Sequence, residues 1–140
     1  MNKKYDLDDV YVKLSTARLL KKKGFNVRCH GYYINGRKQM SDFKRNFNSW
    51  EGNYCFSRPT QALVMKWLRE KFDYNIQIML DSWSETYGSM GYYIVINQKN
   101  GELEDISPIV QVKGDNDVFF NKYEDAVEAA IVYCLKELVK

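Results

Sequence analysis

The dipeptide Asn35-Gly36 constrains the fold of this 140-residue chain more than any other local feature. It stands between two segments with strand-like composition, residues 27–34 and 37–40. Asn and Gly tolerate positive backbone φ angles, and a two-residue type I′ turn requires such angles at both of its central positions. The sequence therefore predicts a β-hairpin, and with it an antiparallel sheet.

A first helix is predicted over residues 14–24. Ser15 and Thr16 are its candidate caps, and three lysines precede Gly24 at its end. Cations in the last turn suit the negative end of the helix dipole, and a glycine just beyond it readily adopts a left-handed conformation. The end of this helix is therefore better marked than its start.

Two longer helices are predicted in the rest of the chain. Residues 59–72 start with Pro59, a residue favoured in the first turn, and repeat apolar side chains at spacings of three and four. Residues 121–139 start with Asn121, which has Glu124 three positions later as in a capping box. Both segments present one continuous apolar stripe to a core.

Alternating apolar residues predict strands over residues 75–81 and 91–97, and one or two further short strands are expected around Val110, Val112, Val118 and Phe120. Residues 41–57 mix aromatics with Asn and Gly and are predicted to form a long loop. The order of elements predicts a single α+β domain, residues 1–140, with an antiparallel sheet covered by helices. The predicted core comprises Leu20, Leu63, Trp67, Leu68, Ile76, Ile78, Val95, Val127, Ile131 and Leu135.

Charge is divided unevenly along the chain. Residues 1–70 hold 15 of the 21 Lys and Arg but 6 of the 18 Asp and Glu, a net charge of +9, whereas residues 71–140 have a net charge of −6. Such asymmetry indicates an anion-facing surface built from the first half of the chain. It favours a binding role over catalysis.

The candidate binding residues combine cations with one large ring. Cations that follow a phosphate backbone, beside rings that stack on bases, are typical of sequence-tolerant single-strand binding. The alternative is that the lysines form a solvated helix end and that the rings of the 41–57 segment fix it to the sheet. The candidates are Lys21, Lys22, Arg28, Arg37, Lys38, Lys44, Arg45 and Trp50.

Several other function classes are disfavoured. The sequence contains no P-loop, dinucleotide fingerprint or nucleophile elbow, so no enzyme activity and no cofactor is predicted. Cys29, His30 and Cys55 lack the paired spacing of a zinc site, so no metal is expected. The segment 1–9 lacks an apolar export signal, and no run is long enough to span a membrane, so a cytoplasmic protein is predicted. Carboxylates at the start of the last helix disfavour duplex RNA recognition there.

Three stretches of the chain carry a resemblance: residues 11–25, residues 59–70 with Pro-Thr-Gln-Ala-Leu, and residues 123–131 with Tyr-Glu-Asp-Ala. Together they resemble small proteins encoded by phages and mobile elements of gut Bacteroidales. Members of that group often have Ser or Thr at the position of Lys122, which moves the expected cap of the last helix to Asn121. The resemblance implies a non-enzymatic accessory protein of a mobile element. Together with the basic first half of the chain, it leads to the prediction of a protein that acts on a nucleic acid or a host nucleoprotein.

The resemblance also implies an alternative role, inhibition of a host defence system by protein contact in the manner of an anti-CRISPR protein. Under this hypothesis, carboxylates of the second half meet a basic channel, and an exposed Tyr or Trp of the 41–57 segment anchors the contact. The carboxylates concerned are Glu102, Glu104, Asp105, Asp115 and Asp117.

Overall fold

The computed structural model describes residues 7–81, 91–99, 106–112 and 120–140. Within these ranges the chain forms three α-helices and two three-stranded antiparallel sheets, which confirms the predicted α+β class. The helices are α1 (Leu14–Lys22), α2 (Gln61–Phe72) and α3 (Tyr123–Tyr133), and a π-helical turn, Cys134–Leu138, follows α3. The strands are β1 (Cys29–Ile34), β2 (Arg37–Arg45), β3 (Cys55–Ser57), β4 (Tyr74–Asp81), β5 (Gly91–Lys99) and β6 (Ile106–Val112).

The predicted hairpin is confirmed as β1 and β2. Asn35 has φ +51° and Gly36 has φ +79°, the two positive angles that the turn requires. The first sheet has the order β2-β1-β3, so β2 lies at its edge. The prediction of one continuous loop over residues 41–57 is wrong, because β2 continues to Arg45 and the segment also contains a 3₁₀ turn, Phe47–Ser49, and strand β3.

The second sheet has the order β4-β5-β6 and buries one face of β5. Ile96 pairs with Ile76 and Ile94 with Ile78, so four isoleucines share that face. Val95 is a wrong core prediction, because successive side chains on a strand alternate and the buried face belongs to Ile94 and Ile96. Of the further strand residues, Val110 and Val112 lie in β6, and Val118 falls outside the described residues.

Helix α1 ends as predicted but starts differently. The N–H of Gly24 donates to the carbonyl of Lys21 (3.2 Å) and the N–H of Phe25 to that of Leu20 (2.9 Å), the pattern of a Schellman motif. Gly24 has φ +88°. Ser15 and Thr16 do not cap the helix, because it already begins at Leu14.

Each of the other two helices begins two residues after its predicted start, at Gln61 and at Tyr123. In α2 the Thr60 hydroxyl accepts a hydrogen bond from the N–H of Leu63 (3.2 Å), so Thr60 is the cap and Pro59 precedes it. In α3 the cap position is Lys122, not Asn121, and no side chain caps it. Propensity alone does not fix an end to one residue.

Helix α3 packs against α1 and α2, and residues of all three helices and of both sheets share the main core. Trp67 and Ile131 are buried as predicted, and Leu63, Ile76 and Ile78 are partly buried members of the same cluster. None of the described helices is long and apolar enough to cross a lipid bilayer. The fully or nearly buried members of the predicted core are Leu20, Trp67, Leu68, Val127, Ile131 and Leu135.

Candidate functional site

Four of the eight candidate binding residues lie on strand β2. Arg37 and Lys38 are at its start and Lys44 and Arg45 at its end, and all four are exposed. Asp42 is the single carboxylate of the strand. Arg28 precedes β1 and is also exposed, and the pairing of Cys29 with Arg45 places Arg28 at the Arg45 end of the hairpin. The fold thus brings five of the predicted cations onto one hairpin.

A bulge separates the middle of β2 from β1. Gly31 pairs with Met40 and Cys29 with Arg45, so residues 41–44 stand opposite His30 alone. The Nδ1 of His30 donates to the Ser41 carbonyl (3.0 Å), and the Ser41 hydroxyl accepts from the N–H of Phe43 (3.2 Å). The bulge leaves Phe43 69% exposed and Met40 55% exposed. The predicted second strand ended at Met40, and the apolar Phe43 is the one signal in the sequence for its extension to Arg45.

The rings of the 41–57 segment divide between core and surface. Phe47 is buried and stacks on Tyr32, with ring centroids 4.3 Å apart, and Phe56 is also buried. Trp50 and Tyr54 are exposed, and Trp50 contacts Phe47 edge to face at 6.2 Å. The interpretation that rings fix the segment is confirmed for Phe47 and Phe56, whereas base stacking by the exposed rings stays a prediction. Buried rings hold the segment, and exposed rings remain at its surface.

Lys21 is half-buried, and its ammonium group is already hydrogen-bonded within the protein. Its Nζ donates to three backbone carbonyls, those of Trp50 (2.7 Å), Gly52 (2.8 Å) and Cys55 (3.1 Å). An ammonium group has three N–H donors, so this lysine has none left for a phosphate. We correct its predicted role: Lys21 holds the 50–55 segment. Lys22, next to it, is exposed and has no ion-pair partner among the described residues.

Lys38 and the buried Arg58 share the carboxylate of Asp8, which lies in a 3₁₀ turn, Leu7–Val10. The Nζ of Lys38 lies 2.9 Å from Asp8 Oδ2, and the Nη2 of Arg58 lies 3.4 Å from Asp8 Oδ1. The hydrogen bond and charge of Lys38, and secondarily those of Arg58, lower the pKa of Asp8. Lys38 is thus the one β2 cation whose charge is partly neutralised by a described residue.

The thiols and the histidine do not form a metal site within the described ranges. Cys29 and Cys55 are buried beside Phe47, whereas His30 is exposed. The Sγ of Cys29 donates to the Gly31 carbonyl at 3.3 Å. No group of three or more His, Cys, Asp or Glu in the described part of the chain is arranged to hold a metal ion.

We expect the three cysteines to resist iodoacetamide in the folded protein at pH 8. Burial raises the pKa of Cys134 to about 12 and raises the pKa of Cys29 and Cys55, so little of the reactive thiolate is present. Because the folded protein binds this proton more tightly than the unfolded chain does, Cys134 contributes to the free energy of unfolding. The contribution is complete below the unfolded pKa of 9.0 and is lost as the pH rises towards the folded pKa of about 12. Mass spectrometry should find labelling only in denaturant; rapid native labelling of Cys134 would contradict its burial.

No family model, curated protein or solved structure matches this chain. The hairpin, its cations and the rings beside it are therefore the features that bear on function.

Proposed function

We propose that this protein is a non-enzymatic, cytoplasmic nucleic-acid-binding protein and that the β1–β2 hairpin is its binding surface. The observation that carries the proposal is the clustering of exposed cations on one edge strand, with Asp42 as the only acid among them. A run of Lys and Arg on an exposed strand neutralises phosphates and releases counterions. The strand is exposed at nearly every position, so its side chains are available to a ligand on both faces.

The exposed rings favour single strands over duplexes as the ligand. Phe43 lies between the two pairs of β2 cations, and Trp50 follows in the next segment. Unpaired bases can stack on such rings, whereas the bases of a duplex are already stacked on each other. Trp50 is held in place by its contact with Phe47 and by the hydrogen bond from Lys21 to its carbonyl. A ring fixed in this way loses little conformational entropy on binding.

The test replaces three β2 cations that have no described ion-pair partner. The variant Arg37→Gln/Lys44→Gln/Arg45→Gln is expected to bind a fluorescein-labelled single-stranded 20-mer at least tenfold more weakly at low salt. Its plot of log affinity against log salt concentration should be less steep by about 2, since each lost phosphate contact on a single strand contributes about 0.7. Fluorescence anisotropy at several salt concentrations, with DNA and RNA strands and the matching duplexes, measures both quantities.

A matched control removes three exposed cations from other elements: Arg69→Gln/Lys136→Gln/Lys140→Gln. It carries the same net charge as the test variant. An equal loss of affinity would show that the strand is attracted by the net charge of the protein and would contradict a hairpin site. The variant Phe43→Ala should weaken binding while leaving the salt slope unchanged, because stacking releases no counterions. Absence of binding by the wild type at low salt would overturn the proposal.

Inhibition of a host defence system by protein contact is a second candidate function. The observation that favours it is the outer edge of β2, which carries Met40 and Phe43 exposed and has no strand beside it among the described residues. Such an edge can accept a strand of a partner protein. The carboxylates assigned to this role all lie outside the described residues. The phage or mobile-element origin that motivates this role is itself a proposal.

A pull-down of the tagged protein from a host lysate, with and without nuclease, separates the two candidates. A protein partner retained after nuclease treatment and lost in Met40→Asp/Phe43→Asp favours the inhibitor. Recovery of nucleic acid that nuclease removes favours the hairpin as a nucleic-acid site.

A further inference from the structure

A second polar site lies beside the turn of the hairpin, with Gly36 and Lys38 among the residues that line it. It is a cavity of about 430 Å³ between the first 3₁₀ turn, Leu7–Val10, the segment that follows it, and the start of α3. Its volume is within the range of small-molecule pockets. The side chains that matter for its chemistry are Asp8, Tyr11, Lys38, Arg58, Asp125 and Glu128.

Arg58 is a buried cation with too few partners. It is 4% exposed, and its Nε is buried without a hydrogen-bond acceptor from the part of the chain that the structure describes. Its one hydrogen-bonded side chain among the described residues is Asp8, at a long distance of 3.4 Å. Asp8 is itself 61% exposed and lies closer to Lys38. A guanidinium offers five N–H donors, and burying its charge is unfavourable unless they are used.

The surroundings fix the guanidinium in place. Its Cζ lies 4.3 Å from the ring centroid of Tyr11 and 5.6 Å from that of Tyr33. The Tyr33 hydroxyl donates to the Val12 carbonyl (2.7 Å), and the backbone N–H of Arg58 donates to the Gly31 carbonyl (2.8 Å). A cation held this firmly is pre-organised for a planar acceptor such as a carboxylate, which matches its forked donors.

The α3 side of the cavity is acidic. Glu128 is buried, and its carboxylate accepts a hydrogen bond from the N–H of Lys13 (3.1 Å). Glu124 and Asp125 line the same space, as does Asp9, which is ion-paired with Lys122. These charges disfavour a ligand that is only anionic, such as a polyphosphate. They complement a positive group on the same ligand.

We propose that this cavity binds a small zwitterionic molecule, whose carboxylate replaces Asp8 on Arg58 and whose ammonium group lies against the acidic side. Asp8 then acts as an internal competitor for the arginine. The site is independent of the proposed nucleic-acid surface, except that Lys38 lines both.

The experiment titrates the full chain with glycine, γ-aminobutyrate and 6-aminohexanoate, and with acetate and n-butylamine as single-charge probes. The Nε–Hε resonance of Arg58, identified by its contacts to the rings of Tyr11 and Tyr33, reports binding in a ¹H–¹⁵N spectrum. At least one amino acid should shift it saturably, and more strongly than either single-charge probe. Asp8→Asn should tighten that binding by roughly tenfold, since a competing charged hydrogen bond is removed.

Two variants complete the test. Asp42→Asn makes the same charge change on β2 and should leave the affinity unchanged; equal tightening would mean a general charge effect and overturn the proposal. Asp125→Asn should weaken binding of the zwitterion and not that of acetate. Failure of every probe to shift Arg58 saturably up to 100 mM in both wild type and Asp8→Asn, or no tightening in Asp8→Asn, would also overturn it.

Discussion

The variant Gly31→Ala is expected to lose about 3 kcal/mol of unfolding free energy, more than a typical surface substitution. A Cβ added at Gly31 would lie 2.5 Å from the carbonyl oxygen of Arg58, which is backbone and cannot rotate away. The two backbones must therefore separate, and the 2.8 Å hydrogen bond from the N–H of Arg58 to the Gly31 carbonyl would be strained or broken. Urea denaturation followed by circular dichroism measures the change.

Gly24→Ala provides the control for this close approach. Gly24 has φ +88°, and a Cβ added there would meet no atom of the described residues within 4 Å. Alanine at this position therefore costs only the backbone strain, about 1 kcal/mol. A Gly31→Ala variant as stable as Gly24→Ala would contradict the close contact of β1 with Arg58.

The variant Lys21→Met is expected to lose about 2 kcal/mol of unfolding free energy. Methionine keeps much of the aliphatic side chain but cannot donate to the carbonyls of Trp50, Gly52 and Cys55. Hydrogen bonds from a charged donor contribute about 1.5 to 3 kcal/mol each when buried, and partial exposure reduces that sum. The amide resonances of residues 50–55 should also shift or broaden, because the segment loses its attachment to α1.

Lys22→Met is the matched control, since it removes the same charge from the neighbouring position of the same helix. Its stability should stay within about 0.5 kcal/mol of the wild type. Equal stabilities of the two methionine variants would refute the structural role of Lys21. A phosphate-binding role would instead appear as a reduced salt slope in Lys21→Met with unchanged stability.

The hairpin and the Arg58 cavity use cations in opposite ways. On β2 the cations are exposed and repel each other weakly through solvent, so any bound phosphate gains from several of them together. In the cavity one buried cation is fixed by rings and backbone, so a single group of defined shape is favoured. The first arrangement favours a long polyanion of any sequence, and the second favours a small and specific ligand.

The sequence alone determined the local features of this fold. Asn35-Gly36 required positive φ at both turn positions, and Gly24 ended α1 in the left-handed conformation. The apolar spacing of residues 59–72 was sufficient for α2, and the alternation of residues 75–81 for β4. These features depend on conformational preferences and periodicity within a few residues, so they can be predicted without knowledge of the rest of the chain.

Only the tertiary structure decided which face of β5 is buried and what each cation does. Val95 and Ile94 are equally apolar, and the pairing of Ile94 and Ile96 with the isoleucines of β4 selected the inner face. Lys21 and Lys22 are identical neighbours, yet only Lys21 meets three carbonyls that lie about 30 positions further along the chain. In the sequence Arg58 is one of the 15 bases of the first half, and its burial beside Tyr11 and Tyr33 is what places it in the wall of a cavity. Such roles depend on contacts between distant segments, which local sequence patterns do not encode.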